Sequence, residues 1–347
     1  VRNIYVSKNP TYSKLIIIDK ENGGKADALN TGVNFSKNPY VMCIDVDCII
    51  EKDVLLKLSK PFLESPKKRI IATGGVVRIA NSCIIKSGKL FKVNVPDNLL
   101  ARIQVLEYLR AFILGRMAWE KLDGLLLISG AFGMFDKEIV LKVGGYNTKT
   151  VGEDMELVVR MRRYMIENKI PYTVKFIPDP LCWTEAPESY EILGKQRSRW
   201  TRGTMETLWI HRKMCLNPKY KILGLVSYPY WLLYEYLAPI IELTGILITL
   251  LMAYLGIISW KFFALLFLFV YLFALFFSML SIYAEEATFK KYESKKDIFK
   301  LVWAALLEPF IFHPFTIYAA LKGNWEKIRG SHSWGDMTRK GFEKKPE

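Results

Sequence analysis

The stretch "KADALNTGVNFSKNPYVMCIDVDCII", residues 25 to 50, joins an amphipathic helix to an apolar run that ends in acids. Its spacing predicts a helix over 25–35 and a strand over 40–45. Asp45 and Asp47 then stand two residues apart at the strand's C-terminal end, so their carboxylates can lie on one side. Open α/β sheets bind ligands at that edge, and paired carboxylates with free coordination positions suit Mg²⁺ or Mn²⁺ bridging a diphosphate. Acids that simply end a strand in a turn give the same pattern. Just upstream, "GGKADALNTG" (23–32) sets a glycine pair, Lys25 and Asn30 at a helix start, where N–H groups and a cation face phosphate or where an ordinary loop is capped.

Outward from this stretch, "LIIID" (15–19) and "IIATGGVV" (70–77) read as further strands and "KDVLLKLSKPFL" (52–63) as a helix. That alternation predicts βαβ units in a mainly parallel sheet covered by helices. A long amphipathic helix is expected over 97–120, then the apolar "GLLLISGAFGMF" (124–135) and a short helix in "KEIVLKVGGYN" closed by Gly144 and Gly145. A helix over 153–169 follows. The strand "YTVKFIPDP" (172–180) is expected to stop at its two prolines.

Residues 222 to 283 are almost continuously apolar, which explains a hydrophobic fraction of 51% in 347 residues. "YWLLYEYLAPIIELTGILITLLMAYLGIISW" (230–260) and "KFFALLFLFVYLFALFFSMLSIYA" (261–284) both exceed the ~20 residues that a membrane span requires. "IFKLVWAALLEPFIFHPFTIYAAL" (298–321), with Glu308, Pro309, His313 and Pro314, reads either as a third span or as a broken interfacial or re-entrant helix. The domain map is therefore a cytoplasmic domain at 1–190, an interfacial helix at 191–222, membrane helices at 223–321 and a basic tail at 322–347.

A formal charge of +15 fits an anionic leaflet or a phosphorylated substrate, and no nucleic-acid motif accompanies it. A cytoplasmic placement of the basic domain and tail favours an even number of crossings. Cys43, Cys48, Cys83, Cys182 and Cys215 form no C-x-x-C pair and read as reduced thiols. The first residue is Val1, and the expectation is that the true N-terminus lies outside the sequence.

Two further stretches carry chemistry. "VGEDMELVV" (151–159) puts Glu153 and Asp154 at a helix start, where acids complement the dipole or, for Asp154, serve as a general base. In "GKQRSRWTRGTMETLW" (194–209), Gln196, Arg199 and Trp200 fall at i, i+3 and i+4 on one helix face. A guanidinium there can hold a leaving pyrophosphate and a ring can support a sugar. Lys195, Arg197, Arg202, Leu208 and Trp209 are expected to face the membrane surface.

The order K-A-D-A-L-N, D-V-D, G-E-D, Q-R-S-R-W and then apolar helices resembles the family 2 processive glycosyltransferases, the group of bacterial poly-N-acetylglucosamine, hyaluronan and cellulose synthases. The resemblance covers nearly the whole chain, "ISGAFGMF" (128–135) and "CWTEAPES" (182–189) included. It implies an α/β, GT-A-like nucleotide-diphospho-sugar transferase domain lacking its N-terminal strands, followed by a C-terminal helical membrane region in the inner membrane.

By that resemblance, Asp45 and Asp47 hold nucleotide and metal, and Asp154 with Glu153 beside it is catalytic. Lys25, Asn30, Gln196 and Arg199 belong to the donor side. Ser129, Gly130, Trp183, Thr184, Glu185 and Trp200 belong to the acceptor side. The implied partners are a UDP-sugar, a glycan or lipid acceptor, the bilayer and accessory synthase subunits.

There are two departures. Gly152 stands where the family usually has Thr, and the expected first strand with its P-x-x-N-E stretch and a uridine-contacting aspartate is not found. Inverting transfer onto a growing polysaccharide is the expected activity. Single transfer to a lipid, or a non-catalytic fragment or subunit, are the alternatives.

Overall fold

The computed structural model describes residues 1–64 and 67–329. Strands β1 (Asn3–Val6) and β2 (Ile16–Asp19) pair only with each other, in an antiparallel hairpin that leaves Ile4, Val6, Ile16 and Ile17 exposed. Helix α1 (Lys25–Phe35) and strand β3 (Tyr40–Ile44) follow as the spacing predicts. Next come β4 (Ile49–Ile50), α2 (Val54–Glu64), β5 (Arg69–Ile79) and a small hairpin of β6 (Ile84–Lys86) and β7 (Lys89–Lys92).

Helix α3 (Leu99–Tyr108) runs through a wider π-helical turn at Leu109–Arg116 into α4 (Met117–Lys121), so the long helix is present but locally underwound. Strand β8 (Phe132–Asp136), α5 (Lys137–Lys142), α6 (Glu153–Glu167), β9 (Tyr172–Thr184) and α7 (Tyr190–Ile210) complete the domain.

The central sheet has the order β3-β8-β5-β9-β4. Among these neighbours only β5 and β9 are parallel, which corrects the mainly parallel expectation. The cause is β8. It inserts antiparallel between β3 and β5, which run the same way but never touch as a βαβ pair would. Strand β9 also continues through Pro178 and Pro180, because the register shift between Gly75 and Val76 skips Pro178 and Asp179 and seats Pro180 opposite Val76.

After α7 the chain passes through helical turns at Leu223–Tyr236, which include α8 (Tyr228–Tyr230), and enters α9 (Ala238–Tyr254). The two segments meet at a 50° bend, beside Pro239. Helix α10 (Trp260–Thr288) and the 34-residue α11 (Lys295–Ile328) are each long and apolar enough to cross a membrane. The 230–260 stretch is bent, and the proline-bearing stretch is one continuous helix.

Helix α11 is nevertheless packed on the globular domain. Leu301, Ala304, Ala305 and Phe312 share a core with Ile103, Leu106 and Leu193, and Gly323 lies against the Ser198 backbone. It runs to Ile328, inside the segment expected as a tail, of which residues 330–347 lie outside the described residues.

Helix α7 is likewise not a surface helix. Gln196, Arg197, Ser198, Arg202 and Leu208 are buried between α6 and α11, and among the residues expected to face the membrane surface it is Lys195 and Trp209, the latter 68% exposed, that stay on the surface. Arg197 makes a two-pronged ion pair with Glu107 and stacks on Trp200 at 4.4 Å.

Candidate active site

Strands β3, β5 and β9 end at one edge of the sheet, where β8 begins, and the chemistry-bearing residues collect there. The Asp45 backbone N–H donates to the Ala131 carbonyl at 2.9 Å, fixing the end of β3 to the turn before β8. Lys25, in the first turn of α1, reaches across. Its Nζ lies 2.6 Å from Asp45 Oδ1 and 3.5 Å from Glu153 Oε1, and donates to the Gly130 carbonyl at 3.3 Å. Burial opposes the lysine charge, yet Asp45, Glu153 and Asp154 together outweigh it and raise the Lys25 pKa. The cation expected to meet phosphate is therefore the cross-link of the acidic cluster.

Asp154 is held at both oxygens. Gly130 N–H donates to Oδ2 at 2.8 Å and Met155 N–H to Oδ1 at 2.8 Å. The approach at Gly130 needs a glycine, because a Cβ there would lie 2.9 Å from Asp154 Oδ2 and 3.2 Å from Lys25 Nζ. Glu153 turns inward instead, 4% exposed, and burial with the adjacent Asp154 pushes its carboxyl up to about 7, against Lys25 and Arg199. Burial also raises Asp45 above the usual carboxylate range, against Lys25. Asp47 is half-buried on the exposed turn after β3, beside the fully exposed Val46.

Helix α7 arrives at this cluster through a backbone contact. A Cβ on Gly152 would sit 2.7 Å from the Gly203 Cα, so the two glycines permit the crossing and the departure at Gly152 has a steric cause. The crossing brings the half-buried Arg199 near enough for its charge to act on Glu153. Gln196 is 5% exposed, with its Oε1 enclosed and without a hydrogen-bond partner among the described residues. Trp200 is 40% exposed.

Two expected site residues do other work. The Asn30 amide is spent at both ends, its Nδ2 donating to the Tyr146 carbonyl at 2.8 Å and its Oδ1 accepting from Tyr146 N–H at 2.7 Å. It clamps the loop before α6, which leaves one Nδ2 hydrogen uncommitted by these two bonds. Trp183 is fully buried, donating from Nε1 to Glu51 at 3.1 Å, and its neighbour across the ladder is Arg78, so it offers no face to an acceptor. Thr184 and Glu185 are half-buried at the end of β9, and Ser129 is half-buried beside Gly130.

Sequence reading missed the clamp that seats α7. There Glu206 accepts from Thr150 Oγ1 at 2.7 Å and from Val151 N–H at 3.0 Å, and pairs with Lys327.

A family model described as glycosyl transferase family group 2 matches residues 40–277, which span the central sheet from β3 to β9, the acidic edge and α7. The poly-beta-1,6-N-acetyl-D-glucosamine synthase of Staphylococcus epidermidis is 32% identical over 189 residues, 54% of this chain and 40% of that protein. The enzyme of the same name from Staphylococcus aureus strain COL is 31% identical over 194 residues, 56% of this chain and 42% of that protein. The matched region thus spans about 40% of these curated relatives. A solved mannosyltransferase from Pyrobaculum calidifontis, in complex with GDP-mannose and Mn²⁺, aligns over 89% of this chain and 69% of its own at 18% identity and a TM-score of 0.46. On the family match, the chain belongs to glycosyl transferase family group 2, as an α/β, GT-A-like domain followed by apolar C-terminal helices.

Proposed function

We propose that the complete protein is a membrane-bound inverting glycosyltransferase that moves a sugar from a UDP-sugar onto a growing β-linked polysaccharide. The observation that carries this reading is Asp154. Its carboxylate is fixed by two backbone N–H donors at the sheet edge where Asp45, Asp47 and Arg199 converge. UDP-N-acetylglucosamine is the first donor to try, given the products named for the staphylococcal relatives.

In this reading Asp154 takes the proton of an acceptor hydroxyl, whose oxygen attacks the sugar C1. The bond from C1 to the phosphate oxygen breaks, and the diphosphate leaves with its charge met by Arg199. Glu153 and Lys25 hold the base and the Asp45 turn in place.

The Asp45 and Asp47 carboxylates fit Mg²⁺ or Mn²⁺, since both are hard oxygen donors on a half-open turn. Among the described residues no cluster of three or more His, Cys, Asp or Glu could hold a metal by itself, so most of the coordination would come from diphosphate and water. Such an ion supplies charge neutralisation at the leaving group. The apolar helices α9 and α10 support a bilayer location, and in this reading the catalytic face lies in the cytoplasm and the polymer passes outward.

UDP release from membranes bearing the complete protein, measured with each common UDP-sugar and Mg²⁺ or Mn²⁺, tests the reading. Release with one donor, lost in Asp154→Asn and on chelation, supports it, and product sizing separates polymer from a single lipid-linked sugar. No release with any donor, together with no UDP binding, sinks it in favour of a non-catalytic subunit.

A further inference from the structure

The chain that leads into α6 is laid along one face of α7. Arg199, Gly203 and Glu206 fall at i, i+4 and i+7 of that helix, which is a single face. The loop meets this face in reverse order. Thr150 and Val151 bond to Glu206, and Gly152 packs on the Gly203 backbone, where a Cβ would lie 2.7 Å from Cα. Glu153 comes next, in the direction of Arg199, whose charge acts on it. The lengths agree, since seven helical residues rise about 10.5 Å and the three steps from Thr150 to Glu153 can span about 10–11 Å.

Glu206 anchors this register. Its Oε2 accepts from Thr150 Oγ1 at 2.7 Å and from Val151 N–H at 3.0 Å, while its Oε1 faces Lys327 in the last turn of α11. The Thr150 hydroxyl carries the hold one residue further, because its oxygen accepts from Gly152 N–H at 3.1 Å. Two backbone N–H groups ahead of Asp154 are thus tied to one side chain of α7, one of them directly and one through a hydroxyl. Helix α11 braces the joint with Lys327 on Glu206 and with Glu326, 2.5 Å from the Ser198 hydroxyl. Burial of Glu206 opposes its charge, yet Lys327, Thr150 and the Val151 N–H hold its carboxyl below the ordinary value. A buried carboxylate is a costly way to fill space, so the arrangement points to a need for this register.

The register fixes two halves of the site against each other. The α7 face carries Gln196 and Arg199, and the loop carries Asp154. A slip of one helical turn, about 5.4 Å, would part them by far more than transfer tolerates. We propose that Glu206 is a positioning residue: by fixing Thr150 and Val151 on α7 it sets how far the Asp154 base lies from the Arg199 face, and so governs the rate of transfer rather than the affinity for the donor. This rests on the transferase reading for the identity of the reaction, but the register can be read without turnover.

The test uses the complete protein as wild type, Glu206→Ala, Glu206→Gln and Thr150→Val, each assayed well below its own thermal midpoint. UDP release gives kcat and the KM for the UDP-sugar, titration with UDP and Mg²⁺ gives an affinity, and amide hydrogen exchange reads the loop at 150–155. Glu206→Ala is expected to lower kcat about tenfold to a hundredfold, to keep KM and UDP affinity within about threefold, and to speed exchange of the loop amides. Glu206→Gln, whose amide oxygen still accepts from Thr150 and Val151, recovers most of the rate and of the protection. Thr150→Val shows part of the loss and carries the test should Glu206→Ala fail to fold.

An unchanged kcat in Glu206→Ala or Thr150→Val overturns the proposal, as does an equal loss in Glu206→Gln or a loss that lies in UDP affinity. Glu206-dependent exchange without UDP release from wild type would keep the register role and overturn the transferase reading alone.

Discussion

Asp154 and Glu153 are adjacent carboxylates with different surroundings. Asp154 accepts two backbone N–H bonds and faces the sheet edge, while Glu153 is buried against Lys25. Asp154→Asn is expected to cut transfer by a factor of about 10²–10⁴ and leave UDP affinity nearly unchanged, measured by UDP release and by nucleotide binding. Glu153 has its pKa raised in the fold, from 4.5 to about 7. The folded state therefore keeps a proton that the unfolded chain releases, and this contribution to stability is full below about pH 4.5 and lost as pH rises through about 7. Glu153→Gln is expected to flatten the fall in thermal midpoint between those limits and to leave the variant more stable than wild type near pH 8. A midpoint that falls equally in both proteins would contradict it.

At the scale of elements, the seat of α7 decides where Gln196, Arg199 and Trp200 go. The crossing depends on bare backbone at Gly152 and Gly203, so Gly152→Thr is expected to push α7 away, destabilise by about 1–3 kcal/mol and reduce UDP affinity through Arg199. Glu107→Ala, which strips Arg197 of its partner inside the α3–α7 contact, is expected to cost about 3–5 kcal/mol in a denaturant titration. Much of this level was legible. The helix at 25–35, the strand at 40–44 and the acids at the strand end follow from local spacing, and Lys25 and Gly130 link Asp45 to Asp154 while the Arg199 charge acts on Glu153. Sheet order was not legible, because nothing local to "FGMFD" (132–136) tells that strand to slide between β3 and β5. The fates of Asn30 and Trp183 were hidden for the same reason: each is decided by a partner far along the chain, Tyr146 for the first and Glu51 for the second. Helix α7 misled because its cations look like a bilayer-facing stripe until Glu107 and α11 cover them.

For the whole molecule, α9 and the first two thirds of α10 are the apolar surfaces left outside the cores, while α11 lies along α3 and α7. Of the spans that length and composition allow, we propose that the bent segment 223–254 and α10 cross while α11 lies at the interface, an arrangement that satisfies the even count the basic domain favours. A Gly256→Cys change in the turn between α9 and α10 is expected to react with an impermeant maleimide from the side opposite to Arg212→Cys in sealed vesicles. Labelling of both from one side would refute the hairpin. Where α10 meets the domain, Arg78 and Glu285, each 1% exposed, form an ion pair across 207 residues of sequence. That distance is also an interval of synthesis. Until residue 285 leaves the ribosome, Arg78 waits at the end of β5 with no counter-charge, so the order of translation makes the transferase domain the last part to settle rather than the first. Stalled nascent chains ending near residue 255 should accordingly be cut by protease within β5, and chains long enough to expose α10 should resist.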